Sequence, residues 1–501
     1  MTPILALITI LFGGDNASAQ QADLVEPAPA AIVVAYQPEE QTEPDTVIEE
    51  SSQRWIGVVE LPGQAIDFAV TLNRAADAYT GTLDIPAQGL SEGELRDIVY
   101  EEGELRFTFA IPNLPEFNWP TWVLTLDDSG KAASGELRQS GGTFPSTLTL
   151  DESGEADILP RPQNPLRPLP YREVEVEVDA GEHTLAGTLT LPDVDEFGEG
   201  PYPGAVLITG SGPQDRDESL VGHKPFYVLS DRLTRRGIAV LRYDDRGFGA
   251  STGDFASATT MDFADDAGAC AAWLGGREDV GSVGLIGHSE GGLIAPFVAR
   301  GNDGIDFVVL LAAPGVPGRE VMIRQAYDIG AAEGIADDVL STQSELMDSV
   351  YDLVLAEAPE AEVREKLDKL VTLQFGTQPG ENRDIVDPAI DQVYAQVTSP
   401  WWLQFLTLDP RPALRELDQP VFALNGSLDL QVSPDQNLSE IERVFEEAGK
   451  SDQLTAEEVL FVNHLFQPTV TGALSEYASI EITFDEDVMG QIADWIEENA
   501  R

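Results

Sequence analysis

The stretch Gly287-His288-Ser289-Glu290-Gly291-Gly292 sets a serine between glycines at the G-x-S-x-G spacing. A short apolar run, Val283-Gly284-Leu285-Ile286, leads into it, and an apolar stretch at residues 293–299 leads out. The serine therefore falls on a strand-to-helix turn. Such a turn forces the serine backbone into a strained conformation and lifts its hydroxyl above the sheet. It also puts the hydroxyl at a helix N-terminus, whose free N–H groups favour negative charge. The glycines remove Cβ atoms that would collide with the neighbouring element. In a chain with 45 glycines the spacing alone carries little weight; the strand and helix on either side give it force.

A serine hydroxyl attacks only with a base beside it. The chain has four histidines. His288 adjoins the serine, but its side chain is expected to point away from the open face of the turn. His183 belongs to an early antiparallel strand pair, and His223 follows the first buried strand by a loop. His464 comes just after an apolar run at residues 459–462, in a loop at a strand's carboxyl end, and is the candidate base. Elbows of this kind order their residues Ser, acid, His along the chain. Asp429, in Asn425-Gly426-Ser427-Leu428-Asp429, follows the strand at residues 421–424 and is the candidate acid. Asp418 lies at the other end of that strand, and Asp435 is expected to begin the next helix.

An oxyanion needs two backbone donors. One is the N–H of Glu290. The other is expected from the loop Thr209-Gly210-Ser211-Gly212-Pro213-Gln214, at Ser211, with Gly210 and Gly212 allowing close approach of substrate. Trp401-Trp402-Leu403-Gln404-Phe405 is read as a wall of the substrate pocket at Trp401 and Trp402, against the alternative of plain core packing. Asp244-Asp245-Arg246-Gly247-Phe248-Gly249 is read as a turn fixed by internal charge pairing. No Walker A loop, G-x-G-x-x-G turn or H-E-x-x-H helix occurs, so neither cofactor nor metal is expected. Cys270, the single cysteine, sits among small apolar residues and reads as a core position.

These residues need a scaffold. Buried strands are expected at residues 205–208, 238–241, 283–286, 307–311, 421–424 and 459–462, after an antiparallel pair at 174–178 and 184–191. Helical patterns such as residues 262–274 lie between them. That alternation implies a mostly parallel sheet with helices on both faces, spanning residues 171–501. Residues 318–410 break it with helical spacing and no parallel strand, and read as a helical cap inserted over the carboxyl ends of the strands. Ahead of a proline-rich linker at 153–170, residues 54–152 carry short alternating strands at 58–61, 66–70, 79–83, 105–109, 122–126 and 146–150. These suggest a small all-β barrel or sandwich of meander type, which is a ligand-binding module or, equally, a structural or docking one.

The first nineteen residues combine an apolar run at 3–12 with Ala17-Ser18-Ala19, and read as an export signal cleaved after Ala19. The run is too short to span a bilayer. Residues 20–53, rich in Glu, Pro, Ala and Gln, read as a disordered linker. The formal net charge is -59, from 88 acidic and 29 basic residues, only five of them lysine. That balance excludes a general nucleic-acid binder and docking on anionic membranes. It suits a surface for salty water or an ordinary acidic exported protein, periplasmic or extracellular.

The stretch from about residue 172 to 496 resembles exported bacterial carboxylesterases with a serine-aminopeptidase-like or dienelactone-hydrolase-like domain, of the α/β-hydrolase superfamily. The segments that carry the resemblance are residues 209–217, 242–249 and 287–292. Further on, they are 409–414, Leu424-Asn425-Gly426 with Asp429-Leu430-Gln431-Val432, and 463–467. The resemblance implies the α/β-hydrolase fold, the roles given above to Ser289, Asp429 and His464, and esterase activity on small acyl esters without a cofactor. The family often carries a charged residue where Ser427 stands. Two further readings stand beside the esterase: a serine peptidase or amidase, since the same residues can serve both bonds, and a binding protein with vestigial hydrolysis.

Overall fold

A computed structural model of the chain describes residues 51–151 and 161–500, apart from 62–63, 76–77, 86–89, 102, 110–118, 140–141, 377–379 and 381. The expected export segment, nearly all of the acidic linker and the start of the second linker lie outside the described residues. The chain divides into two compact units, parting after Pro160.

In the first unit, eight antiparallel strands close into a barrel: β1 (Ser51–Leu61), β2 (Gln64–Ala75), β3 (Ala78–Ile85), β4 (Leu90–Glu101), β5 (Glu104–Phe109), β6 (Thr121–Leu126), β7 (Ala132–Gln139) and β8 (Gly142–Asp151). Each pairs with the next, and β8 returns to β1. Alternate residues point inward, so Trp55, Phe68, Phe107, Trp122 and Leu148 fill the interior. The barrel resolves the choice between barrel and sandwich. Strands β4 and β7 are additions to the sequence-based expectation. A barrel strand buries one face only, and in these two the fully buried apolar residues are Leu95, Ala133 and Leu137, with Ile98 and Tyr100 partly buried beside them.

The second unit is an eight-stranded sheet: β9 (Arg172–Asp179), β10 (Thr184–Leu191), β11 (Tyr202–Ile208), β12 (Ala239–Tyr243), β13 (Val280–His288), β14 (Phe307–Leu311), β15 (Val421–Gly426) and β16 (Leu454–Val459). Their spatial order is β16-β15-β14-β13-β11-β12-β10-β9. The pairs from β12 through β16 are parallel, whereas β10 meets both β9 and β12 antiparallel. Helices Thr260–Gly275, Glu290–Ala299 and Pro434–Ala448 cover one face and Pro225–Thr234 and Glu486–Asn499 the other, each over its own apolar core. Central strands such as β14 are buried at every position, as a sheet covered on both sides requires.

One expected strand is displaced. Residues 460–462 lie beyond the strand; β16 ends at Val459, and Leu460 and Phe461 are exposed in the loop that follows. The reason is position: β16 is the edge strand, half covered, and reads Leu454-Thr455-Ala456-Glu457-Glu458-Val459 with no apolar run to mark it.

Between β14 and β15 the described residues form six helices: Gly318–Ala332, Asp337–Leu355, Glu360–Gln374, Arg383–Val397, Pro400–Thr407 and Arg411–Glu416. They share a core of their own, built around Met347, Tyr351, Leu367, Val393, Trp402 and Phe405, into which Leu293 of the helix after Ser289 also packs. Among the described residues no helix is long and apolar enough to cross a membrane.

Candidate active site

Strand β13 ends at His288, and the helix Glu290–Ala299 begins one residue later. Ser289 is the single residue of the turn, held at φ 54 and ψ -118. For a residue with a Cβ this backbone is costly, and it persists only where its surroundings dictate it. The dictation is visible. Ser289 N–H donates to the Leu311 carbonyl of β14 at 2.9 Å, and its own carbonyl accepts from Gly292 at 2.9 Å. A Cβ on Gly287 would run into the Gly291 carbonyl, and one on Gly291 into the Ile208 carbonyl of β11. Both glycines are therefore required by close backbone approach.

Asp429 and His464 meet across the ends of β15 and β16. His464 Nδ1 lies 2.8 Å from Asp429 Oδ2, and both side chains are buried. The other carboxylate oxygen accepts from the backbone N–H groups of Gln431 and Val432 at 2.8 and 2.9 Å. Asn425 Nδ2 donates to Oδ2 at 3.1 Å. With every contact a donor, the carboxylate is fixed in orientation and His464 carries its proton on Nδ1, leaving Nε2 as the basic nitrogen. The histidine loop is closed by its own side chains: Asn463 Oδ1 accepts from the N–H groups of Leu465 and Gln467, and Asn463 Nδ2 donates to Gln467 Oε1. The other acids considered are elsewhere. Asp435 is exposed in the first turn of its helix, and Asp418 pairs with Lys450.

The loop after β11 runs against the serine. A Cβ on Gly210 would sit 3.3 Å from the Ser289 Cβ. The Gly210 N–H is committed to Glu218 Oε1 at 2.9 Å, and the next amide is that of Ser211. Gly212 adopts φ +94. Asp245 anchors the loop, accepting from Thr209 Oγ1 at 3.0 Å and Gln214 N at 2.9 Å. Its neighbour Asp244 takes a bidentate bond from Arg216, and Arg246 pairs with Asp266. The charges of the Asp-Asp-Arg turn are thus not paired internally, as the sequence suggested, but outward, with Arg216 and Asp266, and the turn shapes the loop that faces Ser289. Burial pushes the Asp245 carboxyl well above the usual range against the pull of its two donors, and the nearby Glu290 and Asp266 add to the rise.

Glu290 contributes more than its backbone. Its carboxylate accepts from Thr260 Oγ1 at 2.7 Å and from Trp401 Nε1 at 2.8 Å, and the Ser211 hydroxyl also bonds it. Burial raises its pKa, while these three donors oppose the rise. The two tryptophans part company here. Trp401 stacks on Phe405 with ring centroids 5.0 Å apart and reaches the elbow, whereas Trp402 is 1 % exposed inside the cap core. Trp402 therefore does not form a pocket wall in this structure; its place is the core packing weighed as the alternative.

The remaining histidines are all bound. His183 Nε2 meets Asp266 Oδ1 at 2.8 Å, and His223 lies between Thr483 and the Tyr477 carbonyl. His288 turns under the elbow, between Glu218 and the His464 carbonyl. The sequence reading missed Glu218, the Glu290 carboxylate and the side-chain partners of His288. A glutamate in an Asp-rich loop carries no local signal of a partner 70 residues away.

Among known proteins, residues 225–346 match the family described as serine aminopeptidase, S33. Esterase EstD of Thermotoga maritima is 32 % identical over 218 residues, 43 % of this chain and 47 % of that protein, so the chain spans about half the length of the relative it matches. Among solved structures, an esterase of Pyrococcus furiosus is 14 % identical, covering 66 % of this chain and 91 % of its own, at a TM-score of 0.39. Est1E of Butyrivibrio proteoclasticus, bound to ferulic acid, is 16 % identical, covering 65 % and 98 %, at 0.37. A proline iminopeptidase-related protein of Thermus thermophilus is 17 % identical, covering 66 % and 99 %, at 0.39. Sheet order, the strand–turn–helix at Ser289 and the family match together give residues 161–501 the α/β-hydrolase fold.

Proposed function

We propose that this domain cleaves carboxylic esters of small to medium acyl chains through an acyl-enzyme on Ser289. The observation that carries the reading is the strained Ser289 at a helix N-terminus, together with a buried Asp429–His464 pair on the loops after β15 and β16, the His464 carbonyl bonded to His288, the residue before Ser289. In the first half-reaction Ser289 Oγ attacks the ester carbonyl as His464 Nε2 takes its proton. The oxyanion rests on the N–H groups of Ser211 and Glu290, and the helix N-terminus favours the same charge. Collapse of the tetrahedral adduct expels the alcohol, which takes the proton from His464. Water then attacks the acyl-enzyme by the same route, giving the acid and free Ser289. Asp429 stays ionised and stabilises the imidazolium.

The family description as a serine aminopeptidase favours a second reading, cleavage of aminoacyl amides by the same residues. The sequence similarity to an esterase supports the first. The test is a fluorophosphonate label together with turnover of p-nitrophenyl acetate and of aminoacyl p-nitroanilides. The proposal expects labelling that Ser289→Ala abolishes, and turnover of the acetate far above that of the anilides. Preference for the anilides would establish the peptidase, and no label with no turnover would overturn both.

A further inference from the structure

His288 is buried behind the nucleophile, and both of its ring nitrogens are engaged. Nε2 lies 2.9 Å from the backbone carbonyl of His464, and Nδ1 lies 2.8 Å from Glu218 Oε1. The same Oε1 receives the Gly210 N–H at 2.9 Å. A backbone carbonyl can only accept, so His288 Nε2 carries a proton. Gly210 N–H can only donate, so Oε1 already accepts one bond. An ionised Glu218 then requires a proton on His288 Nδ1 as well, which makes the side chain an imidazolium. The pair is almost wholly enclosed, with side-chain exposures of 7 % and 5 %.

We propose that Glu218 and His288 are positioning residues for the reaction, a single hydrogen-bonded chain that holds the oxyanion loop and the base loop against the nucleophile. The chain runs Gly210 N–H to Glu218 Oε1, to His288, to the carbonyl of His464. It therefore joins the residue before the oxyanion donor Ser211, the residue before the nucleophile Ser289, and the base itself. The three loops leave three different strands, β11, β13 and β16, and no covalent neighbour sets their spacing. Catalysis by a preformed oxyanion site depends on that spacing to a fraction of an ångström.

The groups that face His288 are Glu218, the His464 ring at 4.7 Å between centroids, and the Asp429 carboxylate beyond it. Burial disfavours the imidazolium, but the charge and hydrogen bond of Glu218, the His464 carbonyl and Asp429 outweigh it, and the net shift is upward. Glu218→Gln keeps the shape and removes the charge. A neutral His288 has one N–H, which cannot serve both the glutamine oxygen and the His464 carbonyl. A glutamine turned to donate to Nδ1 would present its NH₂ to the Gly210 N–H. One link of the chain opens in either case.

This inference rests on the Ser289 hydrolase reading, and the experiment separates the two. Wild type, Glu218→Gln and His288→Asn, as full chains, are titrated with the fluorophosphonate to count competent sites. They are then assayed with p-nitrophenyl acetate from neutral into alkaline pH. The expected result is a kcat per labelled site lowered on the order of 100-fold in both variants with KM within about twofold. The alkaline limb of kcat, where His288 gives up its proton, should also move to lower pH in Glu218→Gln. Variants matching wild type per labelled site, with superimposable pH profiles, would overturn the proposal. So would variants that lose folded sites while the remaining sites work normally, since that describes a purely structural pair. A wild type that neither labels nor turns over would instead overturn the Ser289 reading.

Discussion

Asp429→Asn keeps the shape of the acid and reverses part of its hydrogen-bonding sense. The amide nitrogen must face either His464 Nδ1 or the N–H groups of Gln431 and Val432, which already donate to this side chain. Facing His464, it donates to Nδ1 and drives the proton to Nε2, where a base needs a lone pair. The expected loss in kcat is about 10⁴-fold with the fold intact; near-normal turnover would remove Asp429 from the role of acid. His223 supplies a second residue-scale prediction, on stability. It is wholly buried, donates from Nε2 to the Tyr477 carbonyl, and its Nδ1 lies 2.9 Å from Thr483 Oγ1. Burial, helped by the charge of Arg161, pushes its pKa from 6.5 down to about 4. Between those values the unfolded chain binds a proton that the folded protein refuses. Acidification through that window therefore favours unfolding, by on the order of 3 kcal/mol once it is crossed. His223→Gln reproduces both hydrogen bonds and cannot titrate. Plotted against pH from neutrality down to about pH 4, the melting temperature of wild type should fall more steeply than that of the variant; parallel curves would show that His223 is not a source of acid lability.

At the scale of elements, the cap predicts opposite outcomes for two adjacent tryptophans. Trp401 stands at the elbow, bonded to Glu290, so Trp401→Ala should shift relative kcat/KM across acetate, butyrate and octanoate esters with little change in melting temperature. Trp402 packs in the cap core near Tyr351, with ring centroids 6.1 Å apart, so Trp402→Ala should cost about 3–5 kcal/mol and leave the order of preference alone. Equal effects of the two changes on chain-length preference would refute this division. Sequence spacing could not divide them, because both are apolar, aromatic and adjacent; only the direction each takes from the helix decides. The same logic governs what was legible elsewhere. The elbow was readable because Gly287 and Gly291 are demanded by backbone contact and therefore show in the residue type. The pairing of Asp429 with His464 could be anticipated because few histidines follow a strand end. Strand β16 was misplaced because an edge strand needs no apolar run. Strands β4 and β7 passed unread because a barrel asks little of each strand. Glu218 was invisible because its meaning lies in Gly210, earlier on its own loop, and in His288, 70 residues away at the end of β13.

The whole molecule carries 59 more carboxylates than cations, and its arginines are spread thin. Arg443 is shared between Glu440 and Glu447, Arg319 between Asp348 and Asp352, and Arg383 between Asp368 and Asp387. Two electrostatic effects of salt therefore oppose each other. Screening weakens these exposed pairs, but each is worth only about 0–1 kcal/mol. Screening also relieves the repulsion among unmatched carboxylates, which acts over the whole surface and grows with the net charge. The second effect should win, so added NaCl should raise the melting temperature near neutral pH. The shape of the rise identifies its cause. The Debye length falls from about 30 Å at 0.01 M to about 8 Å at 0.15 M, and only to about 3 Å at 1 M. Relief of repulsion should thus deliver most of the gain at the low end of the series. A gain that appears only toward molar salt would reflect exclusion of the salt from the protein surface rather than its charge. A melting temperature that stays flat or falls from low to molar salt would mean that the acidic surface confers no tolerance of salt, and would leave the proposed roles of Ser289, Asp429 and His464 untouched.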